Sequence, residues 1–392
     1  MIEPPRRILP AIIVSQLAGI SLWFAGNAVL PDLQSSLGLP DSFLGHMTSA
    51  VQLGFIAGTL VFGVLASSDR YSPRATFLAC ALLGAACNAS TYFLGGEILL
   101  LLAARFGAGF FLAGIYPVGM KIASGWYRRD LGMALGFLVG ALVLGTALPH
   151  LIRGVGQSLA WQTVMLSVSV IAALGGFLMY ALVPDGPFLV AGAKFDPKSL
   201  ATIFRSSGFR ASSFGYFGHM WELYAFWAFV PLVLVAYFAR TAGEGFNISL
   251  LTFAIIAVGA VGCMVGGYIS LRLGSARVAF AQLSASGLCC LLSPLMFYSG
   301  PILFLPFLLF WGVVVAGDSP QFSALNARYA PADQVGSALT IANCIGFTIS
   351  IVSIQLLNSA AGAIPAHYLL LLLVPGPIIG LWSLRPLLSK TA

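Results

Sequence analysis

The stretch AGIYPVGMKIASGWY, residues 113–127, is repeated as AGDSPQFSALNARYA at residues 316–330, an offset of 203 positions. Three identities at this offset are Ala113, Gly114 and Pro117, which match Ala316, Gly317 and Pro320. Further matches pair Gly63 with Gly266 and Arg74 with Arg277 and, after one inserted residue, Gly132, Ala134 and Leu135 with Gly336, Ala338 and Leu339. One register kept over so much of the chain predicts two halves built on a single plan.

The composition places both halves in a membrane. Hydrophobic residues make up 59% of the 392 and charged residues 8%, whereas soluble domains carry about 25% charged residues. Twelve apolar runs are long enough to cross the hydrocarbon core, which takes about 20 residues. They cover residues 8–30, 43–67, 75–95, 98–123, 131–152, 161–183, 211–238, 247–270, 277–297, 300–326, 334–358 and 364–384. The runs do not alternate as barrel strands do, so we expect an all-α polytopic membrane protein with twelve transmembrane helices.

The longest polar connection separates the sixth run from the seventh. It predicts an N-terminal six-helix half at 1–183, a cytoplasmic linker loop at 184–210 and a C-terminal six-helix half at 211–392. The parallel repeat predicts that the halves are pseudo-symmetric about an axis along the membrane normal.

The distribution of basic residues predicts the orientation. If both termini and alternate loops lie on one side, that side holds sixteen of the nineteen Lys and Arg residues. The positive-inside rule then places both termini in the cytoplasm. The net charge of +7 follows from this bias, so the lipid bilayer is the expected partner and nucleic acid is not. All six cysteines lie in apolar runs, which is typical of packed free thiols.

A basic motif follows the second run. The text GVLASSDRYSPRA contains Gly63, Asp69, Arg70 and Arg74, and the second half carries GGYISLRLGSAR with Gly267 and Arg272. With twelve runs, a repeat of six and a charged central loop, these residues resemble the major facilitator superfamily of secondary transporters over the whole chain. The resemblance implies that these six residues form a cytoplasmic conformational latch. An ordinary positive-inside turn is the alternative, because Ser72 and Pro73 interrupt the first motif and Leu271 replaces the acid of the second.

The resemblance also implies a central cavity lined by spans 1, 4, 7 and 10, and the ionisable residues deep in the membrane fall on those spans. Span 7 contains GYFGHMWELYAFWAFVP, residues 215–231, where His219 and Glu222 share a helix face. An apolar environment favours the neutral form of a carboxyl, so we predict a proton-coupling site with Asp318 of span 10 as a second acid. The alternatives are a pair hydrogen-bonded for packing, or a metal site, for which one His-x-x-Glu is a weak signal.

Other polar and aromatic residues on the cavity spans are predicted substrate contacts. They are Arg105, Gln16, Tyr116, Trp221, Tyr224, Ser319 and Gln321. Arg105 would bind an anionic group of the substrate, and structural pairing is the alternative. Asp318 precedes Pro320, which kinks a helix, so this point suits a gate or a substrate contact. His150 and Arg153 end span 5 and are interpreted as snorkelling to the interface.

These patterns predict a secondary active transporter, proton-coupled, that moves a small polar or amphipathic solute by alternating access. The alternatives are an efflux pump for hydrophobic compounds with the same fold, and a non-transporting membrane sensor or lipid scramblase. We do not expect an enzyme, because the sequence has no phosphate loop, no His-Glu-x-x-His and no nucleophile triad. The expected partners are a small-molecule substrate and protons, with no cofactor and no metal. We expect a monomer in the cell (inner) membrane.

Overall fold

The computed structural model describes residues 4–65, 71–127, 131–156, 159–189, 200–241, 245–332 and 334–389. This part of the chain is helical and contains no β-strand. The helices of the first half are α1 Ile8–Ile20, α2 Ala25–Ala28, α3 Leu30–Leu37, α4 Phe43–Leu65, α5 Pro73–Ser90, α6 Ile98–Leu112, α7 Tyr116–Trp126, α8 Leu131–Val155 and α9 Trp161–Leu182.

The helices of the second half begin inside the predicted linker. They are α10 Leu200–Ile203, α11 Ser207–Thr241, α12 Ile248–Ala257, α13 Gly259–Leu273, α14 Ser275–Phe297, α15 Pro301–Gly317, α16 Ser319–Tyr329, α17 Val335–Ala360, α18 Ala366–Leu369, the 3₁₀-helix η1 Leu370–Leu373 and α19 Pro375–Leu388. The loop predicted at 184–210 is therefore partly helical, and α11 begins at Ser207 rather than at residue 211.

Among the described residues, ten helical segments are long and apolar enough to cross a membrane. Two predicted spans fall outside this set. The helix Pro73–Ser90 has 18 residues and contains Arg74 and the buried polar Asn88, so its apolar character is weaker. The first run, predicted as one span at 8–30, contains only the 13-residue helix α1 before the chain turns.

The break after α1 corrects the prediction of a continuous first span. Ser21 donates its hydroxyl to the carbonyl oxygen of Ala18 at 2.6 Å. The amides of Leu22 and Trp23 bond three residues back, to Gly19 and Ile20, and the α-helix ends there. The carbonyls of Leu22 and Trp23 are then free to accept hydrogen bonds from elsewhere in the fold.

The repeated stretch has the same local structure in both halves. The helix that begins at Ile98 is interrupted between Leu112 and Tyr116, and the helix that begins at Pro301 is interrupted at Asp318. Pro117 and Pro320 lie at the second position of the helices that follow, where a missing amide proton costs little. The residues equivalent at the offset of 203, Ile115 and Asp318, both lie at an interruption.

The chain divides into two compact units, Met1–Phe195 and Asp196–Ala392. In the first, α6 packs against α4, and in the second α15 packs against α13 and α12. Gly109 lies so close to the carbonyl oxygen of Val51 that a Cβ would overlap it, and its repeat partner Gly312 has the same relation to Ile255. Small residues that let helix backbones approach closely are typical of membrane helix packing.

Candidate functional site

Three ionisable side chains come together inside the second unit. His219 and Glu222 lie one turn apart on α11, and Asp318 lies at the α15–α16 interruption. All three are buried, with 1%, 0% and 0% of their surface exposed. One ligand-type atom from each lies within 4.8 Å of the other two. The predicted acidic pair and the imidazole therefore form one cluster, which we call the acid–imidazole cluster.

His219 bridges Asp318 and its neighbour Ser319. Its Nδ1 lies 2.8 Å from Asp318 Oδ1, and its Nε2 lies 2.9 Å from Ser319 Oγ. The contact with Asp318 has the distance of an ion pair but not the alignment of a linear hydrogen bond. The rings of Tyr216 and Phe322 flank the imidazole, with centroids at 6.1 and 5.7 Å. These contacts hold the imidazole beside the Asp318 carboxylate.

Glu222 is held from a different direction. Its Oε2 accepts a hydrogen bond from Ser286 Oγ at 2.9 Å and a longer one from Cys290 Sγ at 3.6 Å, both on α14. Ser286 Oγ in turn accepts from Trp311 Nε1 on α15 at 3.0 Å. Ser286 could not be predicted from the sequence, because a single serine in an apolar helix has no distinguishing neighbours.

The inner atoms of the acid–imidazole cluster lack partners. Among the described residues, His219 Nδ1, Glu222 Oε1 and both carboxylate oxygens of Asp318 are buried without a hydrogen bond of good geometry. The outer atoms, His219 Nε2 and Glu222 Oε2, are hydrogen-bonded. No lysine or arginine in the described ranges lies within ion-pair distance of either carboxylate. Buried ionised groups without compensation are costly, so the cluster requires a proton or another cation.

As they lie here, two atoms of the acid–imidazole cluster are too close together to be ligands of one tetrahedral metal ion. Two ligands bound to one tetrahedral metal ion at about 2.0–2.1 Å are roughly 3.3 Å apart. The 2.8 Å between His219 Nδ1 and Asp318 Oδ1 is shorter, as expected for atoms that contact each other directly. The residues that could hold a metal ion are His219, Glu222 and Asp318. To bind one, the side chains of His219 and Asp318 would have to move apart.

Arg105 lies in the first unit, where both terminal nitrogens of its guanidinium are hydrogen-bonded within the protein. Its two terminal nitrogens donate to Asn88 Oδ1 at 2.6 Å and to the carbonyls of Leu22 and Trp23 at 2.8 and 2.9 Å. Asn88 donates in turn to the carbonyl of Met165 at 3.0 Å. Arg105 is 1% exposed, and its guanidinium satisfies two carbonyls at the point where the first span is interrupted. This placement favours the structural alternative over a contact with an anionic substrate.

The other predicted substrate contacts are dispersed. In the first unit, Gln16 is buried and lies 3.5 Å from the carbonyl oxygen of Tyr116, whose side chain is half-buried. In the second unit, Trp221 donates to the carbonyl of Leu372 at 3.2 Å. Three more predicted contacts lie in the second unit. Tyr224 is buried and packs on Trp227 and Phe347. Gln321 is also buried, and Ser319 contacts His219.

Comparison with protein families gives a clear assignment. The family described as the Major Facilitator Superfamily matches residues 11–354. The chain belongs to this superfamily. It is accordingly a multi-pass membrane protein with the transporter fold of the superfamily. No curated protein sequence matches the chain.

Solved structures of superfamily transporters share this fold. A mutant of the nucleoside transporter NupG has a TM-score of 0.74 at 11% identity, covering 96% of this chain and 99% of that one. The proton:xylose symporter XylE, bound to 6-bromo-6-deoxy-D-glucose, has a TM-score of 0.77 at 14% identity, covering 98% and 96%. The human organic anion transporter MFSD10 has a TM-score of 0.66 at 16% identity, covering 97% and 100%.

The predicted latch of this superfamily member is described only in part, because Asp69 and Arg70 lie outside the described residues. Arg74 donates to the carbonyl of Tyr180 at 3.4 Å, and its guanidinium lies 5.1 Å from the centre of that ring. In the second unit Arg272 is exposed and lies 5.8 Å from the Tyr268 ring of its own helix. Gly63 is half-buried, and a Cβ at Gly267 would meet open space.

The end of α8 corrects the snorkelling interpretation. Arg153 forms an ion pair with Asp32 of α3 at 2.8 Å, so its charge is compensated within the protein. His150 is only 2% exposed, and its ring is packed inside the first unit rather than extended toward the interface.

Proposed function

We propose that this superfamily member is a proton-coupled secondary active transporter that moves a small polar or amphipathic solute by alternating access. The acid–imidazole cluster is the observation that carries the proposal. Its inner atoms need a cation, and a proton shared among His219, Glu222 and Asp318 satisfies them with the least rearrangement. Protonation removes the charge that opposes burial, so the loaded cluster tolerates a closed environment.

The proposed membrane topology has twelve spans in two six-helix halves around a central cavity. The interrupted segment α1–α3 and the helix Pro73–Ser90, added to the ten apolar segments, give this number. The repeat at an offset of 203 supports two related halves, with the first long helix of the second half beginning at Ser207. The positive-inside bias supports cytoplasmic termini, and we assign the protein to the cell (inner) membrane.

Coupling requires that the two access states differ in proton affinity. A ligand biases a conformational equilibrium only by its differential affinity for the two states. A hundredfold difference in proton affinity shifts their ratio about a hundredfold, or roughly 2.7 kcal/mol. Because the described surroundings of the cluster are closed, we propose that the state described here binds the proton more tightly than a state in which water reaches the carboxylates.

Five side chains are proposed to contact the substrate. Two are half-buried, Tyr116 and Trp221, and three are buried, Gln16, Tyr224 and Gln321. Arg105 would act indirectly, because the residue is 1% exposed and its charged group is hydrogen-bonded to Asn88 and two carbonyls. Ser319 would act through His219, which its hydroxyl contacts. The structural relatives carry nucleosides, xylose and organic anions according to their names. These three classes of small polar solute are the first candidates.

The test uses the full chain reconstituted in proteoliposomes with labelled nucleosides, xylose and small organic anions. A pH gradient should drive accumulation of a transported solute by the unmodified protein. Glu222→Gln imitates the protonated carboxyl, so it should lose gradient-driven accumulation while exchange of labelled for unlabelled solute continues. Glu97→Gln, the same change at an exposed position, should retain both activities. Proton-driven accumulation that survives in both Glu222→Gln and Asp318→Asn would overturn the proposal.

A further inference from the structure

Trp311, Ser286 and Glu222 form a hydrogen-bonded chain with a fixed direction. The indole N–H of Trp311 can only donate, and it donates to Ser286 Oγ at 3.0 Å. The hydroxyl of Ser286 has one proton, and its acceptor is Glu222 Oε2 at 2.9 Å. The thiol of Cys290 also donates toward Oε2, at 3.6 Å. Oε2 is therefore surrounded by donors.

This direction distinguishes the two oxygens of a neutral Glu222. In a protonated carboxyl one oxygen is the carbonyl, which accepts, and the other is the hydroxyl, which donates. A proton on Oε2 would turn toward Ser286, whose hydroxyl would then accept from two groups and lose the acceptor for its own proton. Leaving a buried donor unsatisfied is costly. Oε1 has no partner among the described residues. It can carry the proton and donate it toward the acid–imidazole cluster, because ligand-type atoms of His219 and Asp318 lie within 4.8 Å of Glu222.

We infer that Ser286 and Trp311 are positioning residues that keep Oε2 as the acceptor, so that Glu222 gains and loses its proton through Oε1. The inference deepens the proposed function and rests on it. Because hydrogen bonds to an ionised acceptor are stronger than those to a neutral one, the two residues also favour release of the proton. They would set the pH at which the transporter is loaded.

Other titratable groups around Glu222 must be distinguished in any test. His219 lies on the same helix and Asp318 lies at the α15–α16 interruption, within 4.8 Å. Cys289 and Cys290 face Glu222 from α14. No lysine or arginine in the described parts of α12, α16, α17 or α19 lies within ion-pair distance. The readout must therefore report on Glu222 itself.

Infrared difference spectroscopy of the full-length protein in lipid during a pH titration meets this need without a substrate. The C=O band of protonated Glu222 is identified by its loss in Glu222→Gln. In Ser286→Ala the C=O group loses a donor, so the band should move to higher wavenumber. The pH midpoint should rise by about one unit, a tenfold increase in proton affinity. Ser286→Thr retains the hydroxyl and should restore both values.

Trp311→Phe gives a second test if Ser286→Ala does not fold. Without the indole donor Ser286 can turn away, so the band and the midpoint should move in the same directions by smaller amounts. Matched controls are Ser284→Ala, which removes a hydroxyl that donates to the carbonyl of Phe280 in its own helix, and Trp382→Phe on the exposed surface. Neither should change the spectrum.

Two outcomes separate this inference from the proposed function. A Glu222 band that is present but unmoved in both Ser286→Ala and Trp311→Phe overturns the inference and leaves proton binding at Glu222 intact. A spectrum in which Glu222→Gln removes no titrating band overturns proton binding at Glu222, and the inference falls with it.

Discussion

The imidazole of His219 lies 2.8 Å from the carboxylate of Asp318, with both side chains buried in the second unit. Removing one member of a buried pair leaves the other unpaired, which costs about 3–5 kcal/mol. We predict that His219→Leu and Asp318→Leu each lower the unfolding temperature strongly. The double variant should be less destabilised than the sum of the two, because it leaves no charge unpaired.

Thermal unfolding of the purified variants in detergent measures this coupling. His46→Leu and Asp41→Leu, at exposed positions, provide the same substitutions without the pair. Additive effects of His219→Leu and Asp318→Leu would show that the two side chains do not depend on each other.

Arg105 should be required for the stability of the first unit. Arg105→Ala removes the donors to Asn88, Leu22 and Trp23 and leaves buried acceptors unsatisfied, so we expect a loss of about 3 kcal/mol or more. Arg105→Lys should recover only part, because an ammonium group cannot reproduce the fork of a guanidinium. Denaturant titration followed by tryptophan fluorescence checks this. Arg272→Ala, at an exposed arginine, is the control, and equal behaviour of Arg272→Ala and Arg105→Ala would contradict the prediction.

The two repeat-related glycines should be equally intolerant of a side chain. Gly109→Ala and Gly312→Ala each place a methyl group against a backbone carbonyl, of Val51 and Ile255. Overpacking of this kind costs about 1–3 kcal/mol. Gly132→Ala and Gly336→Ala are matched controls, because a Cβ there meets open space, and replacing a helical glycine by alanine is otherwise favourable. Unfolding temperatures of the four variants should separate into these two pairs; a stabilised Gly109→Ala would disprove the close approach.

The ion pair between Arg153 and Asp32 should contribute little to the free energy of unfolding. Its side chains are 19% and 37% exposed, and pairs of this kind are worth about 0–1 kcal/mol. A double-mutant cycle with Arg153→Gln and Asp32→Asn should give a coupling energy in this range that decreases as salt is added. A coupling above about 2 kcal/mol would show that the pair is shielded from solvent.

The sequence was sufficient to predict ten of the helical spans and the family, because apolar runs and a kept register depend on residue type alone. The i,i+3 spacing of His219 and Glu222 also predicted their shared face. The approach of Asp318 to within 4.8 Å of both depends on how α15 packs beside α11, which no local pattern specifies. Ser286 was missed for the same reason.

The break in the first span shows a second limit of sequence analysis. The run 8–30 is predominantly apolar, and hydropathy alone predicts a continuous helix there. The helix ends near Ser21, and the carbonyls of Leu22 and Trp23 that follow accept hydrogen bonds from Arg105, which comes from another part of the chain. A polar residue in one helix thus determines the shape of another, and only tertiary structure reveals the pairing.

The same pairing sets an order of events during synthesis. The carbonyls of Leu22 and Trp23 receive their hydrogen bonds from a residue 83 and 82 positions later in the chain. At a translation rate of about 5–20 residues per second, Arg105 leaves the ribosome about 4–17 s after its partners. Through that interval the first segment has two acceptors that lipid cannot satisfy. Until α6 arrives, the nascent segment therefore either stays beside water or the insertion machinery, or continues its helix past Ser21 so that its own amides satisfy the two carbonyls.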